Sequence, residues 1–353
     1  MAEYKQVGCV GLFDKTENSA KLSRLGNPLE KLHNVVDFEM FRPDLEQNMI
    51  NHGKKNNAGC KPHDVVRMFK IILLKRFYNL SDEQAEYQIT DRQSFREFLG
   101  LASGDAVPDS RTIWLFQDTL IKKGLDAILF ARFHAHLDSA GLFVNSGKII
   151  DATFVEVPRQ RNTRGENDAI KAGNGQGLWD GQPRKKCQKD IDARWARKDG
   201  ENHYGYKNHA KLDAGSKLID TYTVTGAHVH DSRAVEPLLC ERDRGQSLHA
   251  DSAYVGPRVR AALHARGVTP QITERASRNH SLTDAQKESN RSKSKVRCRI
   301  EHAFGFVSNS LGGFAIRSIG LFRARGVIGL LNLVYNLCRY EQILRLNLLP
   351  VTR

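Results

Sequence analysis

Paired cysteines are missing from this chain, and so is any long apolar run. The six cysteines (Cys9, Cys60, Cys187, Cys240, Cys298 and Cys338) are scattered with no CxxC spacing. That argues against a zinc ribbon and a disulfide framework and suits a reducing cytosol. No window is long and apolar enough to span a bilayer, and the opening MAEYKQVGCVGLFDK holds no charged stretch leading into an apolar one. Neither a membrane anchor nor a leader is expected, and the reading is an intracellular, cytoplasmic protein. No fixed-period repeat is present. Acid is also short: 40 Asp and Glu against 54 Lys and Arg leave a formal charge of +14. Such an imbalance speaks about partners, and nucleic acid is the polyanion that lysine and arginine most readily neutralise.

What is there divides by period. The 353 residues leave room for two domains. Residues 1–61 are weakly patterned and are expected to be weakly structured, apart from a helix from Pro28 to Phe38; NHGKKNNAGCKP reads as a loop. Residues 62–141 read as all-helical. Val65, Phe69 and Ile72 share a face, Ser81 with Gln84 forms a capping-box signature, Asp91 can start RQSFREFLGL, and Gly124 is placed to stop RTIWLFQDTLIKK. The period then changes to two. KIIDATFVEV reads as a buried strand. In HYGYKNHAKLD, Tyr204, Tyr206, Ala210 and Leu212 point one way, and Gly205, Lys207, His209 and Lys211 the other. LIDTYTVT is the return strand, SLHAD and VTPQIT are further strands, and a helix capped by Asp231 or Ser232 is expected through RAVEPLLCER. Pro257 opens another helix, RIEHAFGFV lies on a third, and an apolar helix closes the chain. Residues 142–345 are therefore expected to be an α/β domain on a mixed sheet, with an exposed basic insertion at 158–202.

Three acids stand in unlike local structures: Asp151 inside the first strand, Asp251 at the end of SLHAD, and Glu301 on an amphipathic helix. A carboxylate inside a β-branched strand is costly to bury unless something compensates it. Clustered carboxylates raise one another's pKa, so a cluster that stays ionised implies a cation. Two hard cations about 3.5–4 Å apart, held by such carboxylates, would serve cleavage or transfer at a DNA phosphodiester. Arg297, one helical turn before Glu301, is placed to pair with it.

In their order, IIDAT, YGYKNHAKLD with TGAHVHDS, HADSAYVG and RIEHAFG resemble the DDE transposases of bacterial insertion sequences, specifically the InsH-like (insertion-sequence-five) group. LSDEQAEYQITDRQSFREFLGL and VPDSRTIWLF resemble that family's N-terminal domain, and the resemblance runs from about residue 62 to 340. It implies a ribonuclease-H-like catalytic core, with Asp151, Asp251 and Glu301 as catalytic residues and ligands of two Mg²⁺ ions. It also implies Mn²⁺ as the substitute for Mg²⁺. It further implies cleavage at element ends, 3′-OH strand transfer into target DNA, double-stranded DNA as partner and a homodimer in the synaptic complex. Residues 62–141 would serve DNA-end binding or dimerisation. The family pattern has an Arg four residues before the Glu, here Arg297, but also a Tyr and a Lys where this chain has Ser294 and Ser308. Lys293 and Lys295 are the candidates to replace the lost phosphate contact. The alternatives are an inactive or domesticated DNA-binding copy, or a metal-dependent nuclease that does not transpose.

Three secondary expectations come from the residues alone. Lys207, His209 and Lys211 either border the site and touch phosphate or form a solvated edge-strand face. Trp179 and Trp195, set among basic residues, either stack on unpaired bases or anchor a loop. His228, His230 and Asp231 are read as turn and capping residues in preference to a metal cluster.

Overall fold

The structure is a computed structural model that describes residues 11, 13–50, 61–102, 104–276 and 281–349; Cys9, Cys60 and most of the NHGKKNNAGCKP stretch lie outside them. Eight helices come first: α1 (Asp14–Arg24), α2 (Pro28–Val35), α3 (Arg42–Met49), α4 (Val65–Phe77), α5 (Asp82–Asp91), α6 (Gln93–Leu99), α7 (Ser110–Lys122) and α8 (Leu125–Ser139). Their starts follow local chemistry. Asn27 accepts from the Leu29 N–H with Pro28 at the first helical position, Ser81 and Gln84 form the reciprocal capping box, and Asp109 caps α7. Gly124 adopts φ +66°, a left-handed turn between α7 and α8.

Two expectations are corrected here. The described part of residues 1–61 carries three α-helices and a 3-10 turn, and its Leu29, Phe41 and Leu45 are buried in the main core. Helices of eight residues that bury one or two side chains each leave too few apolar positions for a periodic signal. Asp91 closes α5, and Arg92 stands at the start of α6 without a side-chain cap.

The sheet comprises β1 (Lys148–Glu156), β2 (Arg194–Lys198), β3 (Glu201–Asp213), β4 (Ile219–Gly226), β5 (Ser247–Ala250) and β6 (Thr269–Ile272). Its order is β2-β3-β1-β5-β6, with β4 following β2 along the same edge of the long strand β3. β1, β3 and β4 run antiparallel, while β5 and β6 run parallel to β1. An antiparallel meander continued by two parallel strands beside the first is the ribonuclease-H-like layout. Between β1 and β2 lie α9 (Arg164–Lys171) and α10 (Pro183–Lys186), and later come α11 (Pro257–Ala265), α12 (Asp284–Ser310) and α13 (Leu321–Arg345).

The strand period sorts β1 between two cores. Ile149 and Val155 face the large cluster shared with α4, α7, α8, α12 and α13, whereas Ile150 faces a smaller one with Leu248, Tyr254 and Val259. α13 is buried along most of its length because it lies between the sheet and the N-terminal helices. One turn apart on it, Asn332 bonds Asn208, and Asn336 takes both the N–H and the C=O of Ile219.

The stretch RAVEPLLCER is three 3-10 turns, Asp231–Ala234, Glu236–Leu238 and Glu241–Asp243, and not the expected helix. Pro237 has no N–H to bond the Arg233 carbonyl. The cap is His230, whose ring accepts from the Ser232 N–H. The 158–202 insertion is partly folded. Trp179 is buried and donates to Glu166 Oε1 at 2.8 Å, so it anchors the segment instead of offering a stacking face. No helix among the described residues is long and apolar enough to cross a membrane.

Candidate active site

Register brings the first two acids level. Ile149 of β1 lies opposite His249 of β5 in a parallel pair. Two residues further along stand Asp151, still within β1, and Asp251, the first residue past the end of β5, and the charge of Asp251 reaches Asp151. β5 ends at Ala250, and Asp251 turns the chain into the short 3-10 segment Ser252–Tyr254, its carboxylate accepting the Ala253 N–H at 2.9 Å.

The third acid arrives on α12, which buries Ile300, Ala303 and Val307 against the sheet. Arg297 and Glu301 lie at the edge of that buried stripe, one turn apart. The Arg297 guanidinium spans two acids, 3.4 Å from Asp151 Oδ2 and 2.9 Å from Glu301 Oε1. Asp151 is only 15% exposed and Glu301 55%.

Burial is the main cause that pushes the Asp151 carboxyl up to about 6, and the charge of Asp251 adds to it. The Ala152 N–H, donated to Asp151 Oδ1 at 2.8 Å, opposes the rise, as do Arg297 and Lys198. A buried Asp151 raised partly by the charge of Asp251, and sharing one guanidinium with Glu301, fits a divalent cation, which would favour its charged form. Asp151, Asp251 and Glu301 are the residues that would hold it.

A second acidic cluster gives the opposite result. Ligand atoms of Asp220, Cys240 and Asp243 lie within 4.8 Å of one another. Lys211 already fills that group, 2.6 Å from Asp243 and 3.2 Å from Asp220, and Lys148 stands 3.3 Å from Asp220. Burial raises the Asp220 carboxyl, but the His134 hydrogen bond and the two lysines outweigh it and hold the group below the usual range. With its charge matched from within, this cluster is structural and does not fit a metal.

The same alternation that aims Asp151 at α12 turns Lys207, His209 and Lys211 to the other face, since Asp151 pairs with Ala210 and Ile150 with Lys211. β3 is flanked on both sides, so the solvated edge-strand reading fails as well. The expected phosphate contacts at His209 and Lys211 are corrected: both are fully buried, His209 against Thr225 at 2.9 Å and Lys211 among its aspartates. Lys207 is engaged with Asp231 at 2.7 Å and the Val229 carbonyl at 3.0 Å. Lys293 ties α12 to the Ile272 carbonyl at the end of β6, while Lys295, Ser294 and Ser308 are exposed. Trp195 is 49% exposed, with Arg159 over its ring at 5.4 Å.

The sequence reading missed Lys198, whose charge reaches Asp151. It sits before the turn Asp199–Gly200, with φ +51° and +88°, that joins β2 to β3. An Asp-Gly pair between short alternating runs is the sequence signal that finds such a hairpin.

A ribonuclease-H-like sheet with acids gathered at adjoining strands and a crossing helix defines a class of enzymes working on nucleic-acid phosphodiesters. Residues 143–337 match the family described as "Transposase DDE domain" and residues 17–119 that described as "Transposase domain (DUF772)". The chain belongs to the DDE transposase family, metal-dependent enzymes that cleave DNA and transfer its strands. Among solved structures it is similar to the one titled "Cryo-EM structure of piggyBac transposase synaptic complex with hairpin DNA", at 11% identity and a TM-score of 0.42. That match covers 94% of this chain and 78% of the other.

Proposed function

We propose that this transposase belongs to a bacterial insertion sequence of the InsH-like (insertion-sequence-five) group. In this reading Asp151, Asp251 and Glu301 are its catalytic acids and hold two Mg²⁺ ions. The supporting observation is the parallel register that sets Asp151 level with Asp251, with Arg297 joining Asp151 to Glu301. The bound ions would supply a more acidic attacking group and charge stabilisation of the leaving 3′ oxygen. The chain's own part is to fix three carboxylates on rigid elements, two on neighbouring strands and one on a packed helix. Arg297 pairs with Asp151 and Glu301 and is placed to meet a phosphate once they are otherwise engaged. Water is the nucleophile of the first step and the freed 3′-OH of the second. The partners are the element's two ends and a target duplex, handled by a homodimer in the cytoplasm on the nucleoid. Residues 62–141 serve end binding or dimerisation, and 142–345 is the catalytic unit.

The test uses DNA carrying the inverted repeats that flank the gene. Parent protein with Mg²⁺ cleaves it, and Asp151→Asn loses at least about a thousandfold in rate while binding the same DNA. A second reading, an inactive copy that only binds DNA, is favoured by the exposed Ser308 where the family pattern has a lysine. It requires parent and Asp151→Asn to behave alike, neither of them cleaving.

A further inference from the structure

Away from the acids, the helical region shows aromatic side chains to solvent on two packed helices. α5 buries Ala85 and Ile89 and turns Tyr87 outward at 70% exposure, and α7 leaves Trp114 and Leu115 at 49% and 56%. Glu86 accepts the Ser110 N–H at 2.7 Å, so the residue before Tyr87 meets the start of α7, one turn ahead of Trp114. Phe322, also exposed, begins α13, where its neighbour Arg323 bonds Asp118 of α7 at 2.9 Å. Single exposed apolar residues are ordinary, but large ones gathered on adjoining elements mark an interaction surface.

Charge divides this surface in two. On α5, Tyr87 stands between Glu83 and Asp91, one turn to either side, and the helix DEQAEYQITD holds no Lys or Arg. Arg92, next along, is turned onto the Phe95 ring at 5.2 Å. On α7, the exposed Arg111 lies one turn before Leu115 and the exposed Lys122 two turns after it. Asp118 between them is already matched, by Lys122 at 2.7 Å and Arg323 at 2.9 Å. The outer face of α5 is therefore acidic and that of α7 basic. An acidic face on a chain of charge +14 is unsuited to DNA and suited to a basic protein surface. α7 of another copy is such a surface. A two-fold axis that lays α5 of each copy on α7 of the other makes the same match twice. It also encloses tyrosine and tryptophan, residue types enriched in interface cores.

We infer that the α5–α7 face is where a second copy of this chain docks, with Glu83 and Asp91 around Tyr87 of one protomer set against Arg111 and Lys122 of the other. The inference rests on the reading of residues 62–141 as serving end binding or dimerisation and selects dimerisation for this face. It makes no use of Asp151, Asp251 or Glu301.

Full-length protein without DNA is followed by sedimentation equilibrium over a range of concentrations. Glu83→Arg with Asp91→Arg reverses one half of the match, and Arg111→Glu with Lys122→Glu reverses the other. Each double variant should dimerise about tenfold or more weakly than the parent. An equimolar mixture of the two should recover the parent's affinity, because reversed α5 then faces reversed α7 while the other contact stays native. Double variants that dimerise like the parent, a mixture no tighter than its components, or a parent that stays monomeric throughout would each overturn the proposal. If the charge variants do not fold, Tyr87→Ala with Trp114→Ala changes only exposed side chains and should weaken the dimer by about tenfold or more. An unchanged dimer with weakened binding of duplex DNA would give the face to nucleic acid and reject the second copy. A parent that self-associates through this face yet leaves DNA uncut supports the inference and counts only against the catalytic reading.

Discussion

Lys211 and Arg297 carry like charge and stand on opposite faces of one sheet, and their surroundings give them different work. Lys211 is enclosed with Asp243 and Asp220, so its charge is spent inside the protein. Replacing it by methionine strands the buried Asp243 carboxylate and takes one of several partners from Asp220. Lys211→Met should lower the unfolding free energy by about 3–5 kcal/mol, read from urea melts, while the salt dependence of DNA binding in the folded fraction stays as in the parent. A flatter salt slope would return Lys211 to the DNA surface. Arg297, part-exposed between Asp151 and Glu301, is the cation that remains available to the site. Sequence alone could not separate these two residues. The alternation in HYGYKNHAKLD was readable and puts Lys207, His209 and Lys211 on one side, but which side faces Asp151 depends on the antiparallel register with β1. That is a tertiary fact.

At the scale of elements, what the sequence disclosed follows from period and punctuation. β1, β3, α12 and α13 were legible because each has many residues in one unbroken pattern, and the Ser81–Gln84 capping box was legible because it is purely local. The β2–β3 hairpin was hidden inside a stretch whose lysines and arginines suggested only an exposed insertion. The three 3-10 turns after His230 were hidden because apolar spacing there suits a helix that Pro237 forbids. α13 also carries something no pattern announces: Asn336 completes both backbone groups of Ile219 at the start of β4. Asn336→Leu fills the space but leaves a buried N–H and C=O unmatched. A loss of about 2–4 kcal/mol in denaturant melts is expected. A loss below about 0.5 kcal/mol would mean that water reaches those groups.

At the scale of the whole molecule, the helical and α/β regions recognised in the sequence meet in one continuous apolar cluster that runs from Leu29 to Ile343. α13 lies within it, against α4 and α8 on one side and β4 on the other. A shared core couples the two regions energetically even though each matches its own sequence family. Thermal unfolding should therefore give one transition, with far- and near-ultraviolet circular dichroism superimposing. Two separated transitions would show that the boundary near residue 141 divides stability as well as sequence. Asp151 was legible because a carboxylate inside a β-branched strand is costly, and Asp251 and Glu301 through the order of motifs around them. Their meeting was not, since nothing in the intervening chain encodes which strands become neighbours.

The levelness of Asp151 with Asp251 comes from lateral bonding between β1 and β5 and owes nothing to the length of chain between them. Length changes in the loops of the basic excursion therefore leave that register in place, provided β3 keeps its pairing with β1. Deleting one residue within β1 ahead of Asp151 is another matter, because it would rotate that carboxylate to the lysine side of the sheet while leaving the composition of the gene almost untouched.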